Sequence, residues 1–148
     1  AVAEVLKLTR AGVAWQAVGC AMGAYERPLR YATERMQFGK PIASFQLIQD
    51  KLARMEVARL NVENLVFRYI ETSRDGVELS LAEASAMKLY SARAAMEVAL
   101  EAVQIFGGNG YMSEFQVEQI ARDAKVLQIY AGTDELQITA IAKDLLRR

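Results

Sequence analysis

The chain has 148 residues, 53% hydrophobic and 24% charged, enough for one domain with a real core and unlike a disordered tail. Lys plus Arg and Asp plus Glu each number 18, which excludes the basic excess of a nucleic-acid surface, and no apolar run reaches the ~20 residues of a membrane span. The absence of histidine removes the commonest general base, the commonest zinc ligand and every Ser-His or Cys-His nucleophile pair, so no metal centre is expected.

The opening, Ala1-Val2-Ala3-Glu4, has neither an initiator Met nor a signal-peptide layout, and it reads as part of a longer polypeptide. A first helix is expected from about Leu8 to Thr33. Ala11, Ala14, Val18, Ala21 and Met22 recur at helical spacing, and Gly12, Gly19 and Gly23 allow close helix packing. Trp15 is expected in the core, and Cys20 as a small buried hydrophobe. Pro28 falls inside the pattern and should kink the helix near Ala24. A loop follows over Arg35–Pro41.

A second helix starts near Ser44, with an apolar stripe through Ile48, Leu52, Met55, Val62, Val66 and Tyr69, and stops at Gly76. A third opens on Ser80-Leu81-Ala82-Glu83, a capping box in which Ser80 and Glu83 satisfy each other's free amides. Ala84, Met87, Ala94, Val98 and Val103 mark its inner face, and Gly107-Gly108-Asn109-Gly110 ends it. A short helix is expected from Glu114 to Arg122 and a last one from Thr133 to about Leu146, closed by Lys143, Arg147 and Arg148. No strand is expected. Long helices on short connections imply an all-α, up-and-down four-helix bundle.

Three segments carry candidate chemistry. Arg35 before a glycine loop can fork onto a phosphate, with Gln37 beside it. The glycines of Gln104–Tyr111 exceed what a helix stop needs, and bare backbone admits a flat or phosphorylated ligand. Ile129–Gln137 reads as a tight loop feeding a helix, with Gly132 free to take positive φ and Thr133 or Asp134 as the cap. The charged run Arg122–Lys125 and the carboxylate pairs Glu97/Glu101 and Glu114/Glu118 read as solvated faces. Without histidine the pairs do not make a di-iron site.

Taken in order, Thr9-Arg10, Tyr31–Pro41, Phe45–Gln49, Gln104–Tyr111, Arg122–Lys125 and Ile129–Gln137 resemble the C-terminal helical domain of the acyl-CoA dehydrogenase family. The opening Leu8–Trp15 looks most like glutaryl-CoA dehydrogenase-type members. The resemblance covers essentially the whole chain. It implies a flavoenzyme whose N-terminal helical and middle β domains lie outside these residues. It further implies oxidation of an acyl-CoA thioester to the 2,3-enoyl-CoA with FAD as cofactor and electron-transfer flavoprotein as acceptor. A homo-oligomer is implied, a tetramer built as a dimer of dimers, in a bacterial cytoplasm or mitochondrial matrix and neither secreted nor in a membrane.

By motif, Arg35 and Gln37 would meet the FAD pyrophosphate, and Phe38, Phe45 and Gln46 would lie beside the adenosine. Gln104, Gly107 and Gly108 would approach the same cofactor, and Thr133 and Glu135 would contact it from the last loop. Arg10 falls near the CoA thioester, while Tyr130 and Gly132 line the acyl site. The pattern is broken at one point. Most members carry their catalytic Glu at the position of Ala131, and others carry it at the position of Thr9. Both positions lack a carboxylate here, and proton abstraction needs one within hydrogen-bond reach. Glu4 and Glu26 are weaker candidate bases. The alternatives are a base-less dehydrogenase, a non-catalytic subunit or assembly module, and a monooxygenase-type relative.

Overall fold

The structure, a computed structural model, describes residues 2–147, apart from the side chain of Ala3; Arg148 lies outside the described residues. Among the described residues six α-helices are formed: α1 Val2–Glu34, α2 Gln46–Arg74, α3 Leu81–Phe106, α4 Gly108–Tyr111, α5 Val117–Leu127 and α6 Asp134–Leu145. The chain is all-α and bundled as expected. α3 is its centre and packs on α1, α2, α5 and α6, while α1 also packs on α2 and α5.

Small side chains permit this. The α1–α3 interface is largely alanine on alanine, with Ala17, Ala21 and Ala24 sharing one buried cluster with Ala92, Ala95, Ala99 and Ala102. Met55, Val62 and Val66 supply the buried stripe of α2. At the start of α3 both halves of the capping box form: the Glu83 amide donates to Ser80 Oγ at 3.1 Å, and the Ser80 amide donates to Glu83 Oε2 at 2.8 Å.

Several expectations are corrected. α1 begins at Val2 rather than Leu8 and continues through buried Pro28 to Glu34. A two-residue antiparallel pair, β1 Met36–Gln37 with β2 Lys40–Pro41, closes the first loop where no strand was expected. The expected helix at Glu114–Arg122 is divided. A 3-10 turn at Ser113–Phe115 ends at Gln116, whose φ of 57° breaks the helical path, and α5 then runs on to Leu127. Trp15 is 45% exposed. At 100° per residue it stands on the far side of α1 from Ala17 and Ala24, on a face shared with Val5, Leu8 and Met22, all exposed. Gly12, Gly19 and Gly23 follow that same outer side, and a Cβ at any of them would meet nothing within 4 Å. They therefore serve no helix contact among the described residues. Cys20 is partly buried against the core, and desolvation, with Asp123 nearby, pushes its thiol up to about 11.

Candidate functional site

Most of the predicted cofactor residues converge on one groove of about 960 Å³ between the 35–48 segment and the end of α3. Arg35, Gln37, Phe38, Phe45, Gln46, Gly107 and Gly108 all line it. Gln104 does not. Its side chain is exposed, and its carbonyl accepts the Gly107 amide at 3.1 Å to end α3. The short hairpin sets the groove's rim. Phe38 takes a left-handed φ of 52° followed by Gly39 at 77°, which turns the chain and leaves the Phe38 ring 91% exposed. That ring meets Phe45 edge-on at 6.0 Å, and Lys40 Nζ lies 4.4 Å from the Phe45 centroid. The Arg35 guanidinium has no partner among the described residues.

The opposite wall is equally bare. Gly107 has a φ of 60°, and a Cβ on Gly107 or Gly108 would meet nothing within 4 Å, so the backbone is open to a ligand. Gly110 has a different role. A Cβ there would fall 2.5 Å from the Val103 carbonyl, so only glycine lets α4 fold back on α3. Tyr31 and Asn109, which sequence reasoning did not assign, complete the wall: Asn109 Nδ2 donates to Tyr31 Oη at 3.0 Å, and Tyr31 stacks on Phe106.

The remaining predicted residues gather elsewhere, around the Ile129–Thr133 turn. Thr133 caps α6 by accepting the Leu136 amide at 3.4 Å. Glu135 is exposed, and hydrogen bonds from its own amide and then from the Thr133 hydroxyl hold its carboxyl below the usual range. Tyr130 Oη donates to Gln16 on α1, and Ala131, at a φ of 52°, packs half-buried on the main core. Gly132 has a φ of 92°, and a Cβ there would meet Gln137 Nε2 at 2.8 Å and displace it.

Arg10 is 6% exposed and donates from Nη1 to Ser85 Oγ at 2.6 Å, while its buried Nε has no partner among the described residues. Burial pulls its guanidinium below the ordinary value. One turn along α3 from Ser85, buried Lys88 donates to the Gly132 carbonyl at 2.8 Å. Arg10 and the turn thus meet on the same face of α3. Thr9 is exposed, its hydroxyl bonded back to the Leu6 carbonyl at 3.1 Å, and it offers no base. Glu4 is exposed and paired with Lys7 at 3.0 Å. Glu26 is also exposed and stands 17 residues along α1 from Thr9, roughly 25 Å by helix rise.

Lys88 and Gln137 escaped the sequence reading, although a lysine inside the alanine stripe of α3 was a usable signal. Arg122 pairs with Glu118 at 2.7 Å, and Glu101 pairs with Lys51 and Arg54, so both stay structural. Among the described residues no group of acidic, Cys or His side chains could hold a metal, and no helix is long and apolar enough to cross a membrane.

A nucleotide-sized groove with an unpartnered arginine, open glycine backbone and an exposed phenylalanine ring, together with a separate turn beside a buried arginine, marks a helical domain with two candidate ligand sites. Residues 1–146 match the model of the acyl-CoA dehydrogenase C-terminal domain, and the chain belongs to that family. It is 45% identical over 141 residues to an acyl-CoA dehydrogenase of Bacillus subtilis, covering 95% of this chain and 37% of the relative. Butyryl-CoA dehydrogenase from Megasphaera elsdenii superposes with a TM-score of 0.91 at 42% identity, covering 96% of this chain and 37% of that one. An acyl-CoA dehydrogenase from Bacillus anthracis complexed with FAD superposes at 0.90 with 30% identity, covering 97% and 28%. The chain therefore spans well under half the length of these relatives.

Proposed function

We propose that this chain is the C-terminal helical domain of an FAD-dependent flavoprotein that binds an acyl-CoA thioester, with the usual catalytic carboxylate replaced by Ala131. The observation that carries this reading is the convergence of Arg35, Gln37, Phe38, Phe45, Gly107 and Gly108 on one groove. The fit to FAD is chemical: an unpaired guanidinium suits a pyrophosphate, the exposed Phe38 ring with Phe45 edge-on to it suits a flat heterocycle, and glycine backbone allows close approach. When bound, FAD supplies an acceptor for hydride from the β-carbon of the thioester.

The residues of this chain then do the following. Arg35 and Gln37 hold the pyrophosphate, and Phe38, Phe45 and Gln46 cover the adenosine. Thr133 and Glu135 approach the cofactor from the last turn. Arg10, Tyr130 and Gly132 line the acyl end, where Arg10 is fixed by Ser85. No group at Ala131 or Thr9 can take the α-proton, so dehydrogenation by this chain's own residues is slow. Residues outside the chain complete the FAD enclosure, and electron-transfer flavoprotein, a cytoplasmic or matrix setting and a tetramer complete the assignment. The missing carboxylate also favours a second reading, in which the chain is the non-catalytic partner in an assembly.

The test is cofactor retention by the complete protein. Gel filtration should recover FAD with the protein, and Arg35→Ala should weaken FAD binding by about tenfold, the worth of one charge-assisted contact. A complete protein that keeps no FAD contradicts the assignment.

A further inference from the structure

α3 holds one lysine entirely inside the bundle. Lys88 has no exposed surface, and Ala84, Met87, Ala92 and Ala95 surround its position along the helix. Among the described residues no carboxylate comes within ion-pair distance of its Nζ; its hydrogen-bond partner is the carbonyl of Gly132, at 2.8 Å. Burying an ammonium is costly, and an apolar side chain of similar length would fill the same space. What the lysine adds is the grip on that carbonyl.

The same carbonyl accepts Gln137 Nε2 at 2.8 Å, and that nitrogen also reaches the Ala131 carbonyl at 3.1 Å. Two successive carbonyls of the turn are thereby drawn inward. All peptide bonds among the described residues are trans, so the N–H of each peptide points away from its C=O. The amides of Gly132 and Thr133 consequently face away from Lys88 and Gln137, and neither has a partner among the described residues. The arrangement needs two left-handed residues in succession, and the first, Ala131, is not glycine. Such a turn is strained and persists because its surroundings hold it.

We propose that Lys88 is the positioning residue of the acyl site: by holding the Gly132 carbonyl inside the bundle it fixes position 131 and turns the Gly132 amide toward the acyl thioester. Lys88 does not touch the substrate, since its Nζ is engaged and sealed from solvent. The assignment rests on the acyl-CoA reading above.

The test uses the complete flavoprotein with Lys88→Met, which keeps the volume and removes the donor. FAD content and the butyryl-CoA titration of flavin absorbance are measured together, along with hydrogen exchange at the Asp134 amide, which bonds to the Gln128 carbonyl across the turn. The expected result is FAD affinity within about twofold of wild type, acyl-CoA affinity down by about tenfold or more, and faster exchange at Asp134; loss of a hydrogen bond to a charged donor supplies an effect of that size. Unchanged acyl-CoA affinity, or FAD and acyl-CoA affinities falling in parallel, overturns the proposal. Should Lys88→Met not fold, Gln137→Leu removes the other donor and carries the same expectation. A wild-type protein that holds FAD but responds to no member of a straight-chain acyl-CoA series overturns the acyl-CoA reading, and this assignment with it.

Discussion

Tyr31 on α1 lies flat against Phe106 on α3, ring centroids 4.0 Å apart and planes 15° from parallel. The stack joins two helices at the wall of the nucleotide-sized groove, and Phe106 also meets Phe115 edge-on at 6.0 Å. Phe106→Ala should therefore act on stability and ligand binding together. Removing a buried phenylalanine costs about 3 kcal/mol, and the loss should appear as a lower urea midpoint by far-UV circular dichroism, with weakened FAD retention. Lost stability with unchanged FAD affinity would place the ring in the core alone.

Gly132 and Gly39 separate two reasons for a glycine. Both have positive φ, at 92° and 77°. A Cβ on Gly39 meets nothing, whereas one on Gly132 strikes Gln137 Nε2 at 2.8 Å. Gly39→Ala should cost about 1 kcal/mol, the backbone penalty alone. Gly132→Ala should cost about 2–3 kcal/mol, because it also displaces the side chain that holds the turn. Equal losses in a denaturation comparison would contradict this reading of the turn.

Glu101 gives the pH dependence a sign. Burial works to raise its carboxyl, but hydrogen bonds from Lys51 and Arg54 outweigh this and hold it below the ordinary value of 4.5. A carboxyl lowered in the folded state contributes stability above its unfolded value, and the contribution is lost as pH falls through the folded one. Stability should fall below about pH 4.5, and Glu101→Gln should flatten that part of the curve. An unchanged acid limb, followed by circular dichroism across the acid range, would remove Glu101 from the account of acid sensitivity.

The helices were legible because their signals are local and repeated. Ala84, Met87, Ala94 and Val98 recur at helical spacing, and Ser80 with Glu83 marks a start that the structure reproduces bond for bond. Trp15 was misplaced because its angular position on α1 turns it away from the core. The break at Gln116 was invisible because glutamine gives no sign of a left-handed φ. Lys88 and Gln137 were missed for a related reason: periodicity treats a polar residue on an inner face as an interruption. Only the fold brings Gly132, 44 residues away, to Lys88. The groove residues were legible through motif; their convergence required the tertiary path of the hairpin back to the end of α3.

Ala131 carries the central claim, that this site binds an acyl thioester but lacks its proton acceptor. The direct measurement is anaerobic reduction of the flavin by a series of acyl-CoA thioesters, comparing wild type with Ala131→Glu in the complete protein. Wild type should bleach slowly or not at all. The variant, with a carboxylate on the turn, should bleach at least about a hundredfold faster with one member of the series, the range over which a positioned base acts. Fast bleaching by wild type, or no gain in the variant with any thioester, would contradict it.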